Sequence, residues 1–194
     1  MTNTFKQNIS LDKFFKDGDS FELQNQSYTI SYPEFLKYFR DIKTITRHNL
    51  IIGINFTYGW MPTIFDFRSE EFDRALNILN RAKKGEIPTI IELNLLKNLL
   101  NNSLVGTSKL LHFINPNIFA IWDSRVYRYL TGDEPYNHKI GNCDKYLDYL
   151  EFCEYLIKQN KFKEVQKRIE MIIGYSMTPF RITELIMYSN GAKK

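Results

Sequence analysis

The sequence predicts an all-helical protein with room for one short β-hairpin near the N-terminus. Apolar residues recur at helical spacing over most of the chain, and residues that typically begin or end helices stand between these runs. Of the 194 residues, 43% are hydrophobic and 25% are charged, which is typical of a globular protein and excludes a mainly disordered one. This length suits a single helical domain over residues 1–194, built from two packed lobes.

The N-terminal region has the least regular pattern. Alternating residues over Phe21–Ser31 allow a short hairpin. Ser31 and Glu34 have the spacing of a capping box, with Pro33 in the first turn, and this predicts that a helix begins there.

The rest of the chain reads as consecutive helices separated by caps and breaks. The apolar run Leu50–Phe56 leads to a break at Gly59 and Pro62. Further helices are predicted at about 69–84, 88–101, 107–114, 124–130, 144–159, 162–173 and 179–189. The sum is about eight helices.

Charge and terminal pattern limit the classes of function. The 26 Lys and Arg against 22 Asp and Glu give a formal net charge of +4, which is compatible with a polyanionic partner. Residues 1–10 lack the basic start and apolar core of a signal peptide, and no run approaches the ~18 apolar residues of a membrane span. We therefore expect a cytoplasmic protein with no membrane partner.

The cysteines and histidines give no metal-ligand pattern. Cys143 and Cys153 have a spacing that zinc ribbons and redox motifs do not use, and His48, His112 and His138 are scattered. We expect no metal and no cofactor, and two cysteines cannot supply the ligands of an iron–sulfur cluster.

Residues 101–130 carry the most informative pattern. A helix, a tight turn at 104–106 and a second helix form a helix-hairpin-helix. Gly106 allows a close backbone approach, and we expect the amides of Gly106, Thr107 and Ser108 to point outward, where DNA phosphate could bind. A plain helix–helix turn is the alternative.

Asp123 is the second feature of this segment. It follows the apolar stretch Ile118–Trp122 and precedes the helix 124–130, so it stands at an N-cap position. Capping alone is the alternative to a catalytic role.

Together the two features resemble the helix-hairpin-helix DNA glycosylase superfamily, which includes endonuclease III, the adenine glycosylase and the 8-oxoguanine glycosylase. Val105 to Ser108 are similar to the family hairpin V-G-x-[KS], although Ser103-Leu104 replaces its leading L-P-G. Residues 119–130, FAIWDSRVYRYL, are similar to the adenine-glycosylase pattern F-x-I-x-D-x-x-V-x-R-x-L. Residues 108–116 resemble bacterial proteins with an 8-oxoguanine-glycosylase-like fold.

The resemblance implies a two-lobed helical bundle with the hairpin and a catalytic aspartate within residues 90–130. It also implies a monomeric enzyme of base excision repair that binds double-stranded DNA, flips out a base and cleaves its N-glycosidic bond. Asp123 would stabilise positive charge on the sugar. Non-catalytic DNA binding with the same fold, and an unrelated helical interaction protein, are the alternatives.

The position of the family's Schiff-base lysine can be aligned in two ways. Without a gap it falls on Ser108, which implies attack by water and a monofunctional enzyme. With a one-residue insertion it falls on Lys109, whose amine would form a Schiff base and enable strand nicking as an AP lyase. The sequence leaves both alignments open.

Two arginines follow Asp123 at helical spacing. Arg125 and Arg128 lie three residues apart on one predicted helix face and are candidate phosphate contacts. A surface salt bridge is the alternative for each.

Aromatic residues elsewhere are candidates for a base pocket or a wedge between base pairs. Tyr58, Trp60 and Phe65 lie in the broken segment YGWMPTIF, and Phe180 with Arg181 lies in the first turn of the last helix. Core packing is the alternative for all of them.

Overall fold

The computed structural model describes residues 5–23, 26–61, 63–66 and 70–192, except the side chains of residues 26–28. Within these ranges the fold is all-helical, as predicted, with twelve helices and no strand. The helices are α1 (Phe5–Asn8), α2 (Leu11–Asp19), α3 (Gln26–Arg40), α4 (Arg47–Gly59), α5 (Phe72–Lys83), α6 (Ile90–Leu99), α7 (Leu104–Ile114), α8 (Ser124–Thr131), α9 (Asn137–Ile140), α10 (Cys143–Ile157), α11 (Phe162–Ile173) and α12 (Pro179–Asn190).

The hairpin predicted over Phe21–Ser31 is wrong in the described part of that range. Helix α3 already begins at Gln26 and continues through Ser31 and Pro33, so Ser31 does not cap a helix. The proline costs the helix a backbone hydrogen bond, but Tyr32 and Phe39 of the same helix are buried, and this burial offsets the cost. The outer part of the predicted hairpin, residues 24–25, lies outside the described residues.

Several predicted helix ends are confirmed by their hydrogen bonds. Thr89 and Glu92 form the capping box of α6, and the side chains of Asp123 and Thr178 cap α8 and α12. Gly85 follows α5 with a φ of 104°, a conformation that favours glycine at a helix end.

Other boundaries differ by a few residues. Helix α4 ends at Gly59 as predicted, whereas Pro62 lies outside the described residues. The predicted start at Ser69 also lies outside them, and α5 begins at Phe72. The short helix α9 is absent from the helices that the sequence predicts.

The chain divides into two compact units, which we name by the features they carry. Residues 26–119, with α3 to α7, form the hairpin unit. Residues 1–25 together with 120–194, with the remaining helices, form the aspartate unit.

Helix α7 is the central element of the hairpin unit. It packs against α3, α4, α5 and α6, and every residue from Leu110 to Ile114 is buried. Gly53 of α4 permits part of this packing, because a Cβ there would lie 2.4 Å from Cζ of Phe39. The largely apolar composition of α7, which is buried on nearly every side, reflects this central position.

Helix α12 has the corresponding place in the aspartate unit. It packs against α2, α8, α10 and α11, with Ile182, Ile186 and Met187 fully buried. Gly191 at its end lies close to α8, because a Cβ there would come within 1.9 Å of the carbonyl oxygen of Arg125.

A buried histidine joins three segments of the hairpin unit. His112 Nδ1 lies 2.6 Å from the carbonyl oxygen of Phe119, and Nε2 lies 2.7 Å from the hydroxyl of Tyr32. A carbonyl oxygen only accepts, so Nδ1 of His112 donates its proton to the carbonyl of Phe119, while Nε2 shares a hydrogen bond with the Tyr32 hydroxyl. These bonds connect α3, α7 and the end of the unit.

Tyr32→Phe tests this network. The change removes the hydroxyl that lies 2.7 Å from His112 Nε2 in the core, which we expect to lower the free energy of unfolding by about 1–3 kcal/mol in urea titrations. Tyr38→Phe is the matched control, because the Tyr38 hydroxyl is only part-buried and its bond to the carbonyl of Asn49 is 3.4 Å long. Equal losses in the two variants would contradict a special role for the His112 network.

Candidate active site and helix-hairpin-helix

The turn of the helix-hairpin-helix lies at residues 100–103, earlier than the predicted 104–106. Helix α6 ends at Leu99 and α7 begins at Leu104. Asn101 and Asn102 make the turn, with φ angles of 57° and 54°. Asparagine tolerates this left-handed conformation, so the turn does not need Gly106.

The predicted outward amides of the hairpin are also corrected. Ser103 caps α7, and its side-chain oxygen accepts a hydrogen bond of 3.0 Å from the amide of Gly106. The amide of Thr107 donates to the carbonyl oxygen of Ser103 at 3.0 Å, and Ser108 lies one residue further into α7. The amides of Gly106 and Thr107 are therefore already hydrogen-bonded within the protein. DNA binding by this hairpin stays a prediction, but these two amides do not point outward to bind a phosphate.

Gly106 instead makes room for Tyr58. A Cβ at Gly106 would lie 2.7 Å from the Tyr58 hydroxyl, which donates a 2.6 Å hydrogen bond to the carbonyl oxygen of Leu100 in the turn. Burial raises the pKa of Tyr58 to about 12, so the phenol stays a neutral donor. Tyr58 is 3% exposed and its ring contacts Phe65 at 4.6 Å, so it packs inside the turn and presents no face to a base.

Helix α7 presents only one narrow stripe outside the core. Val105 and Lys109, one turn apart, are half-buried, whereas every other residue of the helix is buried. Ser108 is fully buried, and its hydroxyl donates to the carbonyl oxygen of Val105 at 2.9 Å. The Thr107 hydroxyl likewise bonds back to Ser103. Of the two aligned positions, Lys109 is the one whose side chain leaves the core.

Trp60, at the C-terminal end of α4, lies beside Lys109. Its ring is half-buried, and the ammonium nitrogen of Lys109 lies 5.6 Å from the ring centroid. The structure therefore brings together two of the predicted site residues within the hairpin unit.

The carboxylate of Asp123 is the corresponding feature of the aspartate unit. One oxygen, Oδ1, accepts hydrogen bonds from the amides of Arg125 and Val126 at 2.9 and 3.0 Å. The other oxygen, Oδ2, makes no hydrogen bond to any residue in the described part of the chain. The side chain is half-buried, so one carboxylate oxygen is fixed and the other remains available to a ligand.

The segment before Asp123 is fixed by two buried tyrosines of α10. The hydroxyls of Tyr146 and Tyr149 donate 3.2 Å hydrogen bonds to the carbonyl oxygens of Ala120 and Ile121. Burial raises the pKa of both tyrosines well above the ordinary value, which keeps them neutral donors. Sequence reasoning missed this role. Their one-turn spacing was a visible signal, but it does not identify the partners.

The side chain of Trp122 also holds this segment in place. Its indole nitrogen donates a 2.8 Å hydrogen bond to the carbonyl oxygen of Ile140, at the end of α9. The segment before Asp123 is thus held by side-chain hydrogen bonds, and the segment after it by the backbone hydrogen bonds of α8.

The two predicted phosphate-binding arginines have partners within the aspartate unit. The guanidinium of Arg125 lies 4.5 Å from the ring centroid of Tyr188, and Arg128 Nε lies 3.7 Å from a carboxylate oxygen of Glu134. Neither contact is fully buried, and such surface contacts contribute little to stability. Their binding to DNA stays a prediction.

Phe180 and Arg181 are buried at the start of α12. Arg181 forms an ion pair with Glu184, and both side chains are more than nine-tenths buried. This pair satisfies two charges inside the unit, and a contribution of Phe180 to a base pocket stays a prediction.

Over the described ranges, His, Cys, Asp and Glu nowhere form a group of three or more that could hold a metal ion. No helix of those ranges has the length and apolarity to cross a membrane. Cys143 and Cys153 are both buried and are not joined in a disulfide bond.

No protein-family model, curated protein or solved structure matches the chain.

A double-mutant cycle tests the contact between Gly106 and Tyr58. Gly106→Ala alone forces its Cβ against the Tyr58 hydroxyl, an overpacking that we expect to cost about 1–3 kcal/mol of unfolding free energy. In a Tyr58→Phe background the hydroxyl is gone, so the same change should cost about 1 kcal/mol less. Urea unfolding of the four proteins gives the coupling, and strictly additive effects would refute the contact.

The buried tyrosines predict a loss of stability at alkaline pH. Burial raises the pKa of Tyr58, Tyr146 and Tyr149 above the ordinary value of 10.0, so the unfolded chain ionises first as pH rises. Their contribution is complete below pH 10 and is lost progressively above it. Phenolate absorbance and circular dichroism should show these groups ionising only as the chain unfolds. Ionisation of all tyrosines near pH 10 in a folded protein would contradict this.

Proposed function

We propose that the protein is a DNA glycosylase that flips a damaged or modified base out of duplex DNA and cleaves its N-glycosidic bond. The observation that carries the proposal is the fixed carboxylate of Asp123, with Oδ1 bound by two amides and Oδ2 left for a ligand. The preceding carbonyls at Ala120 and Ile121 are held by buried hydroxyls, so the carboxylate needs little reorganisation on binding.

Asp123 acts by electrostatics in this proposal. As the bond to the base breaks, positive charge develops on the deoxyribose, and a preoriented carboxylate stabilises it most in the transition state. The resemblance of residues 119–130 to the adenine-glycosylase pattern supports the same role.

Lys109 is the proposed nucleophile. Its neutral amine attacks C1′ of the deoxyribose, a carbon–nitrogen bond forms, and the base leaves with the bonding electrons and gains the amine proton. Opening of the sugar ring, with a proton from solvent on the ring oxygen, gives a protonated imine, the Schiff base. The burial of Ser108 and the exposure of the Val105–Lys109 stripe support Lys109 over the ungapped alignment.

We propose a cytoplasmic monomer that acts on double-stranded DNA in base excision repair. The mildly basic net charge of +4 supports only the polyanionic partner. Non-catalytic DNA binding is an outcome of the tests below.

The first test is incubation with duplexes carrying 8-oxoguanine, uracil, hypoxanthine, alkylated bases or a mismatched adenine. We expect a borohydride-trapped protein–DNA adduct on one of these duplexes, and Lys109→Ala should abolish it because no other amine takes its place. Cleavage revealed only by alkali would instead indicate attack by water. Salt-dependent binding without any product would overturn the enzyme proposal in favour of DNA binding alone.

Asp123→Asn separates the charge of the side chain from its capping function. Asparagine caps a helix as well as aspartate, so the free energy of unfolding should change little. Base excision should fall about 100-fold or more, with duplex affinity retained. Asp133→Asn is the control, because Asp133 is an exposed carboxylate of the same unit, paired with Lys139. Full activity of Asp123→Asn would refute a catalytic carboxylate.

A further inference from the structure

The indole of Trp60 is held in place by other aromatic rings of the hairpin unit. The Tyr32 ring lies 6.3 Å from it, centroid to centroid, and is inclined by 24°. Phe35 meets it edge-on at 6.1 Å, and Phe113 lies at 5.2 Å. Tyr32 is itself fixed by its hydrogen bond to His112. Trp60 is therefore a member of a packed cluster and not a side chain projecting into solvent.

Helix α7 contacts this indole at two positions one turn apart. Phe113 packs against the ring from the buried side, and Lys109, four residues earlier, places its ammonium nitrogen 5.6 Å from the centroid. This distance is within the range of a cation–π interaction, which tryptophan makes more strongly than any other residue. Lys109, in the outward stripe of α7, therefore lies against the Trp60 ring, which the surrounding aromatic cluster holds in place.

We propose that Trp60 is a positioning residue for Lys109, whose amine it holds in one place through the face of its indole ring. The inference rests on the proposed function, in which that amine is the nucleophile. A lysine side chain has many rotamers, and restricting them before the reaction lowers the entropy lost on reaching the attacking geometry. The fixed ring supplies that restriction through its face, 5.6 Å from the ammonium nitrogen.

The contact has a measurable cost to the reaction. A cation–π interaction stabilises the ammonium form and so delays release of the proton that the attack requires. Trp60 should thus raise both the maximal rate and the pH at which that rate is reached. A purely structural residue would not produce this pair of effects.

The contact is measured first, without any DNA. Lysines are dimethylated with carbon-13 formaldehyde, and the Lys109 signal is assigned by its loss in Lys109→Arg. We expect a ring-current shift of this signal that disappears in Trp60→Leu, together with a lower pKa of the Lys109 amine in that variant because the stabilisation of the ammonium form is lost. Trp60→Phe should retain part of both effects. An unchanged Lys109 signal in Trp60→Leu would overturn the inference.

Phe56→Leu is the matched control for general loss of packing. Phe56 stacks on Phe35 at 4.5 Å in the same cluster, but its ring contacts do not include Trp60 or Lys109. This variant should leave the Lys109 signal and its titration in place. A loss of the shift equal to that in Trp60→Leu would assign the effect to the cluster as a whole and overturn a specific role for Trp60.

Borohydride trapping by the unmodified protein then tests the role in the reaction. Trp60→Leu should lower the plateau of the pH–rate profile about tenfold and shift its midpoint to lower pH, with Trp60→Phe intermediate. Trapping at the wild-type rate and pH would overturn the positioning role. A wild-type protein that traps no DNA but shows the ring-current shift would refute the proposed function and leave the contact supported.

Discussion

Three consecutive backbone carbonyls just before Asp123 accept hydrogen bonds from buried side chains, and these bonds fix the segment that carries the candidate carboxylate. A buried carbonyl without a donor is costly, and residues in turns and extended segments have no helical partner. His112, Tyr146 and Tyr149 meet this need for the three consecutive carbonyls of residues 119, 120 and 121. In the hairpin turn, the carbonyl oxygen of Leu100 accepts the Tyr58 hydroxyl proton in addition to a hydrogen bond from the amide of Ser103. The path of the chain into Asp123 is set by these bonds.

The amino-acid composition supplies many side chains that can act as buried hydrogen-bond donors. The chain has 12 tyrosines, whose rings fill an apolar core while their hydroxyls reach polar atoms. Tyrosine therefore supplies packing and a donor from one residue. Gly106 serves this arrangement, since it leaves the space that the Tyr58 hydroxyl occupies. The sequence suggests that Gly106 serves a turn, whereas in the fold it allows the buried Tyr58 side chain to pack against the helix.

The sequence predicted features that depend on neighbours in the chain, and it missed those that depend on distant partners. The caps at Thr89, Asp123 and Thr178 are local hydrogen bonds, so their spacing sufficed. The sequence pattern predicts a helix start at Pro33, because proline is unfavourable inside a helix. In the structure Pro33 lies inside α3, and the burial of Tyr32 and Phe39 offsets that cost. The tyrosine bonds to residues 120 and 121 join positions more than twenty residues apart, which no periodicity reveals.

The choice between Ser108 and Lys109 shows this limit at the site itself. Amphipathic periodicity tells which face of a helix is outward only when one face is polar, and α7 is apolar nearly all round. The small polar residues Thr107 and Ser108 look exposed in the sequence, yet both return their hydroxyls to the helix backbone and are buried. That leaves Val105 and Lys109 on the outward stripe. The position of the amine against Trp60 is therefore a consequence of how four other helices enclose α7, and the candidate nucleophile is selected by packing.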